Sequence, residues 1–335
     1  MSESLRVGQV ESIRRTFSQS DFDRFAALSG DDNPIHVDPE FAARTKFGRT
    51  VAHGMFLYSS VCSLLGTRLP GPGTMQVEQE LMFPTATPTG EEVEIRVQVS
   101  AVQPAEGLAN LTTTVIRSDG SAGLQGRTLV RLPRALILPA AGAMTHDSPI
   151  SDSHSFKGMK LGQRAETRRT FTAADLDEYA ELTGDTNPII TDAGYAQSLG
   201  LEGPLVPGGL LGGLFSYLLG TRLPGPGTNY LKQRLHFPNP ACAEQELQAR
   251  VEIVRIRPEK QLVNLSTILS HFISNIPTIT DVVSNCQIDF TSLDRSVSDC
   301  NIFFYLLNLG FTDGLNVKSL TSTEVRYVTI ELCRE

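Results

Sequence analysis

A few residues early in this 335-residue chain have the types and spacing that proton chemistry needs. Asp31, Asn33 and His36 form D-x-N-P-x-H, and seventeen residues on His53-Gly54-Met55 follows. A carboxylate beside an imidazole suits the handling of a water molecule. The imidazole titrates near neutrality, and the carboxylate orients it or shares its protons. Pro34 fixes the local backbone and biases Asn33 toward extended geometry, so Asp31 and His36 are expected to project from a stiff turn, with Asp32 facing solvent. His53-Gly54 opens an apolar helix, where free amide N–H groups can polarise a carbonyl, and Gly54 lets a ligand approach the backbone. Taken singly, Asp31 reads as a turn or cap residue and His53 as a cap or packed histidine. Their joint spacing favours a site. A metal could draw on Asp31, His36, Asp38 and His53, but no HxH or HxxxH pair exists, and no metal is expected. GxSxG, Walker A and a GxGxxG before a helix are all absent. Cys62 lies mid-helix among apolar residues and reads as packing.

The elements that must position these residues occur twice. LLGTRLPGPGT at Leu64–Thr74 recurs unchanged at Leu218–Thr228, an offset of 154, and at the same offset Ser29–Asp38 (SGDDNPIHVD) faces Thr183–Asp192 (TGDTNPIITD). The chain is a tandem duplication. In each copy a capping box, Ser18-x-x-Asp21 or Thr172-x-x-Asp175, opens a short helix that Gly30 or Gly184 stops. An apolar helix follows, about Gly54–Leu65 and Gly209–Leu219, ended by PGPG. Strands are predicted over Met75–Phe83, Glu92–Val102, Leu108–Ile116 and Leu124–Leu132, and in copy two over Leu231–Phe237, Glu246–Ile256 and Leu262–Leu269. Either Asp281–Phe290 closes copy two after a small insertion, or copy two lacks that strand. One apolar helix with consecutive antiparallel strands implies an α+β unit, its sheet wrapped around the helix. The two units are expected to pair sheet edge to sheet edge. Gly209, Gly212 and Gly213 in the second apolar helix suggest close approach of another backbone.

Composition excludes several classes. The chain is 40% apolar and 20% charged with a net charge of −8, which argues against disorder and against general affinity for nucleic acid. Five cysteines without a CxxC pair suit neither a disulfide framework nor a zinc knuckle. The N-terminus resembles no secretory or transit peptide, so a cytoplasmic location is expected. Uncharged Gly203–Thr221 contains Pro204, Pro207 and six glycines and is not expected to span a membrane.

G-D-x-N-P-[IL]-H-x-D, F-G-x-x-x-x-H-G-M, LLGTxLPGPGT and a Q-x-L-x-F strand together resemble the MaoC-like (R)-specific enoyl-CoA hydratases and 3-hydroxyacyl-thioester dehydratases. The resemblance covers about Arg6–Pro133, and about Lys160–Ser270 as a second copy. It implies a tandem hot-dog fold and a substrate that is an acyl thioester of CoA or acyl-carrier protein. The reaction it implies is reversible hydration of a trans-2-enoyl thioester to the (R)-3-hydroxyacyl form, without cofactor or metal. The family's catalytic Asp and His fall on Asp31 and His36. Asn33 would position the loop, the Gly54 amide would hold the thioester oxygen, and His53 is placed with the substrate-binding residues. Some relatives carry a Ser near Cys62, so its absence puts a helper role there in doubt.

Copy two departs at the site. Asp185 and Asn187 remain, but His36 is matched by Ile190 and His53 is set against Gly208, so copy two reads as catalytically dead and as a partner that completes sheet and tunnel. The expected layout is a catalytic domain over 1–133, a linker over 134–159, a degenerate domain over 160–290, and an atypical tail over 291–335 without a functional reading. Intramolecular pairing of the copies leaves a further homodimer open. A hot-dog thioesterase and a non-catalytic thioester-binding or scaffold protein stand as the alternatives.

Overall fold

The computed structural model describes residues 5–133, 155–226 and 228–271, with the backbone of 282–288. In copy one, β1 (Val10–Thr16) leads to α1 (Gln19–Ser29), two short helices α2 (Pro34–Val37) and α3 (Pro39–Ala43), the long α4 (Gly54–Thr67), and strands β2 (Met75–Met82), β3 (Glu92–Gln103), β4 (Leu108–Arg117) and β5 (Ala122–Arg131). A small hairpin, β6 (Ser155–Phe156) and β7 (Met159–Lys160), occupies the end of the stretch read as linker; 134–154 lie outside the described residues. Copy two repeats the plan: β8 (Arg164–Thr170), α5 (Ala173–Thr183), α6 (Pro188–Thr191), α7 (Ala193–Ser198), α8 (Gly208–Thr221), β9 (Lys232–His236), β10 (Glu246–Arg257), β11 (Leu262–His271) and β12 (Val282–Ile288).

Ten of these strands form one sheet, ordered β1-β3-β4-β5-β2-β9-β12-β11-β10-β8, so the second half mirrors the first about the β2–β9 seam. The edge-to-edge pairing expected from the sequence is this antiparallel seam, in which Glu80 stands opposite Arg234. β12 supplies the closing strand. Thr128 pairs Leu111 in copy one and Cys286 pairs Leu265 in copy two, so the register has moved four residues beyond the offset of 154. That insertion is why the repeat fades there. The tail over 291–335 lies outside the described residues. β1 and β8 escaped the sequence reading because edge strands bury little: β1 alternates between exposed and part-buried residues.

The sheet wraps the two long helices. α4 buries all but the two ends of its length, which is why its sequence is apolar all round. α8 packs beside it. The α8 glycines admit side chains of copy one rather than another backbone: a Cβ on Gly212 would fall 2.5 Å from Met55 Sδ, and one on Gly213 2.9 Å from Ser29 Cβ. Without that room the helices could not approach so closely.

The copies also meet through charge. Arg24 on α1 donates to Glu178 (2.6 Å) and Glu181 (3.0 Å) on α5. Arg24 and Glu178 are themselves counterparts at the repeat offset, as are Glu80 and Arg234, so both pairs straddle the pseudo-two-fold axis. Arg234 Nη2 also reaches Glu78 at 3.1 Å. Among the described residues no helix is long and apolar enough to cross a membrane.

Candidate active site

The site begins at the end of α1. Ser18 and Asp21 form the expected capping box, and Gly30 closes the helix with φ 80°, a left-handed conformation that glycine adopts without cost. The chain then turns back on itself. Asp31 N–H donates to Ser29 Oγ, and Asn33 N–H reaches Asp31 Oδ1 at 3.4 Å. Asn33 has extended backbone (ψ 124°), as Pro34 requires, but its side chain accepts from Ile35 N–H and Pro34 takes the first helical position. His36 therefore sits on a helical turn, α2, rather than on a loop. Asp32 is exposed.

Asp31, His36 and His53 converge, each with a side-chain ligand atom within 4.8 Å of the others. His36 Nδ1 lies 2.7 Å from the Val51 carbonyl oxygen. A carbonyl only accepts, so Nδ1 carries the proton and Nε2 presents a lone pair. His53 is fully buried against Phe22 and Phe25, its ring tilted by 30° to that of His36 at 3.9 Å between centroids. His53 Nε2–H donates to the Asp31 main-chain carbonyl at 2.9 Å. This placement ties the start of α4 to the Asp31 turn and sets His53 behind His36.

Burial raises the Asp31 carboxyl above its ordinary range, while His36 and the Ser216 hydroxyl pull it back. Burial lowers His36, with Asp31 opposing, and holds His53 well below its usual range. The pair thus has its two titrations pushed toward each other, a poise suited to passing protons.

Sequence reasoning missed Ser216. Its Oγ–H donates to Asp31 Oδ2 at 2.5 Å from α8, the helix of the copy read as dead. At the repeat offset Ser216 is the counterpart of Cys62, so the serine sought near Cys62 stands in the other copy and reaches across the axis. Comparing the repeats at that position would have found it. Gly220, also on α8, lets the turn dock: a Cβ there would lie 2.9 Å from Asn33 Nδ2 and 3.1 Å from Asp31 Oδ1. Gly54 is the first residue of α4, where an amide has no intrahelical acceptor. The space beside it is taken by Phe83, whose ring would be 2.8 Å from a Cβ, so this glycine first makes room for an aromatic side chain.

In copy two the matching turn docks on α4. Asn187 accepts from Gly73 N–H (2.8 Å) and donates to the Thr74 carbonyl (3.0 Å). Ile190 takes the place of His36. His53 is matched by Pro207, not Gly208: His53 and Pro207 are the N-caps of α4 and α8, and Gly54 and Gly208 their first residues. Cys62, buried and with its thiol raised by that burial, points at Gln76 Oε1 (3.5 Å).

A family model described as a MaoC like domain matches the chain twice, over residues 6–120 and 156–271, more than half its length. The chain belongs to the MaoC-like domain family. This MaoC-like chain is similar to the (R)-specific enoyl-CoA hydratase of Aeromonas caviae, 40% identical over 132 residues that make up 39% of this chain and 98% of that protein. It is equally similar to the 3-hydroxybutyryl-CoA dehydratase of Methylorubrum extorquens, 40% identical over 39% of this chain and 83% of that protein. Among solved structures, a MaoC-like dehydratase matches with a TM-score of 0.68 and 18% identity, covering 85% of this chain and 99% of its own. A Mycobacterium tuberculosis protein described as a double hotdog fold matches with a TM-score of 0.66 and 16% identity, covering 86% and 97%. At those identities the structures establish the fold: a double hot-dog.

Proposed function

We propose that the chain is a hydro-lyase that adds water reversibly across trans-2-enoyl thioesters of CoA or acyl-carrier protein, giving (R)-3-hydroxyacyl thioesters. The observation that carries this reading is the Asp31–His36 pair, a buried carboxyl beside a part-buried imidazole with a free lone pair, and a hydroxyl bound to the carboxylate. Hydration needs water deprotonated as it attacks C3 and a proton delivered to C2, beside a carbonyl oxygen that collects the enolate charge. His36 Nε2 takes the proton from water held against Asp31. The pair returns a proton to C2 on the same face, since both groups lie on one side of the site. The Gly54 amide at the start of α4 receives the thioester oxygen. Asn33 and His53 hold the Asp31 turn, and Ser216 fixes the carboxylate. The hydratase and dehydratase names of the relatives support this reading.

Copy two takes no part in proton transfer, because Ile190 offers no titratable group. It contributes Ser216, Gly220 and half of the sheet. Binding without turnover is favoured for copy two alone.

The test follows loss of enoyl-thioester absorbance with crotonyl-CoA and a longer enoyl-CoA, with chiral analysis of the product. Water-dependent formation of the (R)-3-hydroxy product is expected, and His36→Ala should slow it roughly 10²–10⁴-fold. Equal rates for wild type and His36→Ala would overturn the mechanism.

A further inference from the structure

A formed cavity lies at the counterpart of Asp31 in copy two. It measures about 840 Å³ including its open mouth, and Asp185 and Asn187 line it together with Leu65, Val77, Leu211 and Phe237. The cavity is where the catalytic pocket of copy two would be. Loss of the histidines removed its proton chemistry and left its volume. Ile190 and Pro207, which stand where copy one has His36 and His53, are part of its wall and make it more apolar.

Its lining also carries Thr74, Arg131 and Asn239, and two further polar groups, Asp185 and Gln76, have hydrogen-bonding capacity left over. Asp185 is buried and accepts from the Asn187 amide at 3.3 Å through Oδ1; unlike Asp31, it has no serine on its second oxygen, because Cys62 turns to Gln76. Gln76 accepts from Tyr58 and Cys62 through Oε1, and its buried Nε2 finds no acceptor among the described residues. A buried carboxyl without a cationic or hydroxyl partner is costly to keep, and burial holds this one near 7. A protonated carboxyl and a free amide are both donors. They suit a ligand with one neutral acceptor on a long apolar body. A free fatty acid would bring a second carboxylate against Asp185, whereas a thioester carbonyl brings none.

We infer that the copy-two cavity is a second binding site for acyl thioesters, holding without turnover the substrate class handled at the Asp31–His36 pair. The inference rests on the proposed hydration for its ligand class. A saturated acyl thioester has no double bond to hydrate, so butanoyl-CoA and octanoyl-CoA report binding alone. Calorimetric titration of the full chain should give two molecules bound per chain. Ile190→Phe, which puts a ring beside Asp185 in the cavity, and Asp185→Leu, which removes the carboxyl, should each reduce this to one, with crotonyl-CoA hydration kept within about twofold as the control for folding. A stoichiometry of one in the wild type overturns the proposal, as does binding of octanoic acid in place of its thioester. Retained crotonyl-CoA hydration with lost turnover of long enoyl-CoA in Ile190→Phe also overturns it, since the cavity would then house the tail of the substrate at Asp31. If crotonyl-CoA is not hydrated at all, the hydration reading fails on its own and the stoichiometry is still read in the same way.

Discussion

Ser216→Ala leaves the buried Asp31 carboxylate without its hydroxyl donor, a loss worth about 1–3 kcal/mol. Because that hydrogen bond lowers the Asp31 pKa, its removal lets the carboxyl rise further. The acid limb of the kcat/KM profile should move to higher pH, with kcat down roughly tenfold or more beside a Tm loss of a few degrees. A merely structural serine would shift Tm and leave the limb in place. Asp185 gives a second test at this scale. Its folded pKa of about 7 exceeds its ordinary 3.8, so the folded state binds the proton more tightly than the unfolded chain does. Its contribution is intact below about pH 4 and is lost as pH rises to about 7, by on the order of 4 kcal/mol in all. Asp185→Asn should be the more stable protein in urea at pH 8, with the difference shrinking toward pH 5. The Asp31–His36 pairing was readable because D-x-N-P-x-H is local. Ser216 was not, since it lies in the other copy and acts only once the helices cross the axis.

At the scale of elements, the glycines of α4 and α8 set how closely each turn docks on the opposite helix. Gly220→Ala places a methyl against Asn33 and Asp31, and Gly66→Ala places one against Asn187 and Asp185. Alanine also favours a helix by up to about 1 kcal/mol over glycine, so the net change in Tm should be modest for both. The activities should diverge: hydration falls more than tenfold in Gly220→Ala and stays near wild type in Gly66→Ala. Equal losses would show that the clash acts through general stability rather than through the Asp31 turn. The long helices, their PGPG ends and most strands were legible from caps, turn residues and period. The short helices after Asn33 and Asn187 were hidden in runs of four to six residues, too short to show a period. The insertion before β12 was legible where the repeat fades, but its length of four residues was not, because a register change leaves no mark on composition.

For the whole molecule, the ten-stranded sheet makes one body from the two units read as a catalytic and a degenerate domain. Produced as two separate chains, the halves should associate with each other in preference to themselves. Two first halves would oppose Glu80 to Glu80 across the seam and bring Arg24 to Arg24, and like charges directly opposite destabilise. Native mass spectrometry of the mixed halves should show the mixed pair dominant, and Arg24→Glu with Glu80→Arg in the first half should remove that preference. The sequence announced the duplication plainly, yet the complementarity of Arg24 with Glu178 and of Glu80 with Arg234 is visible only when the axis is known. Those two pairs have a consequence for how such a chain can change. In a symmetric dimer every substitution arrives twice, and at the axis it meets itself, so a charge there must face its own kind. Joined in one chain, the same two positions vary independently. One half can then lose its histidines while the other keeps them.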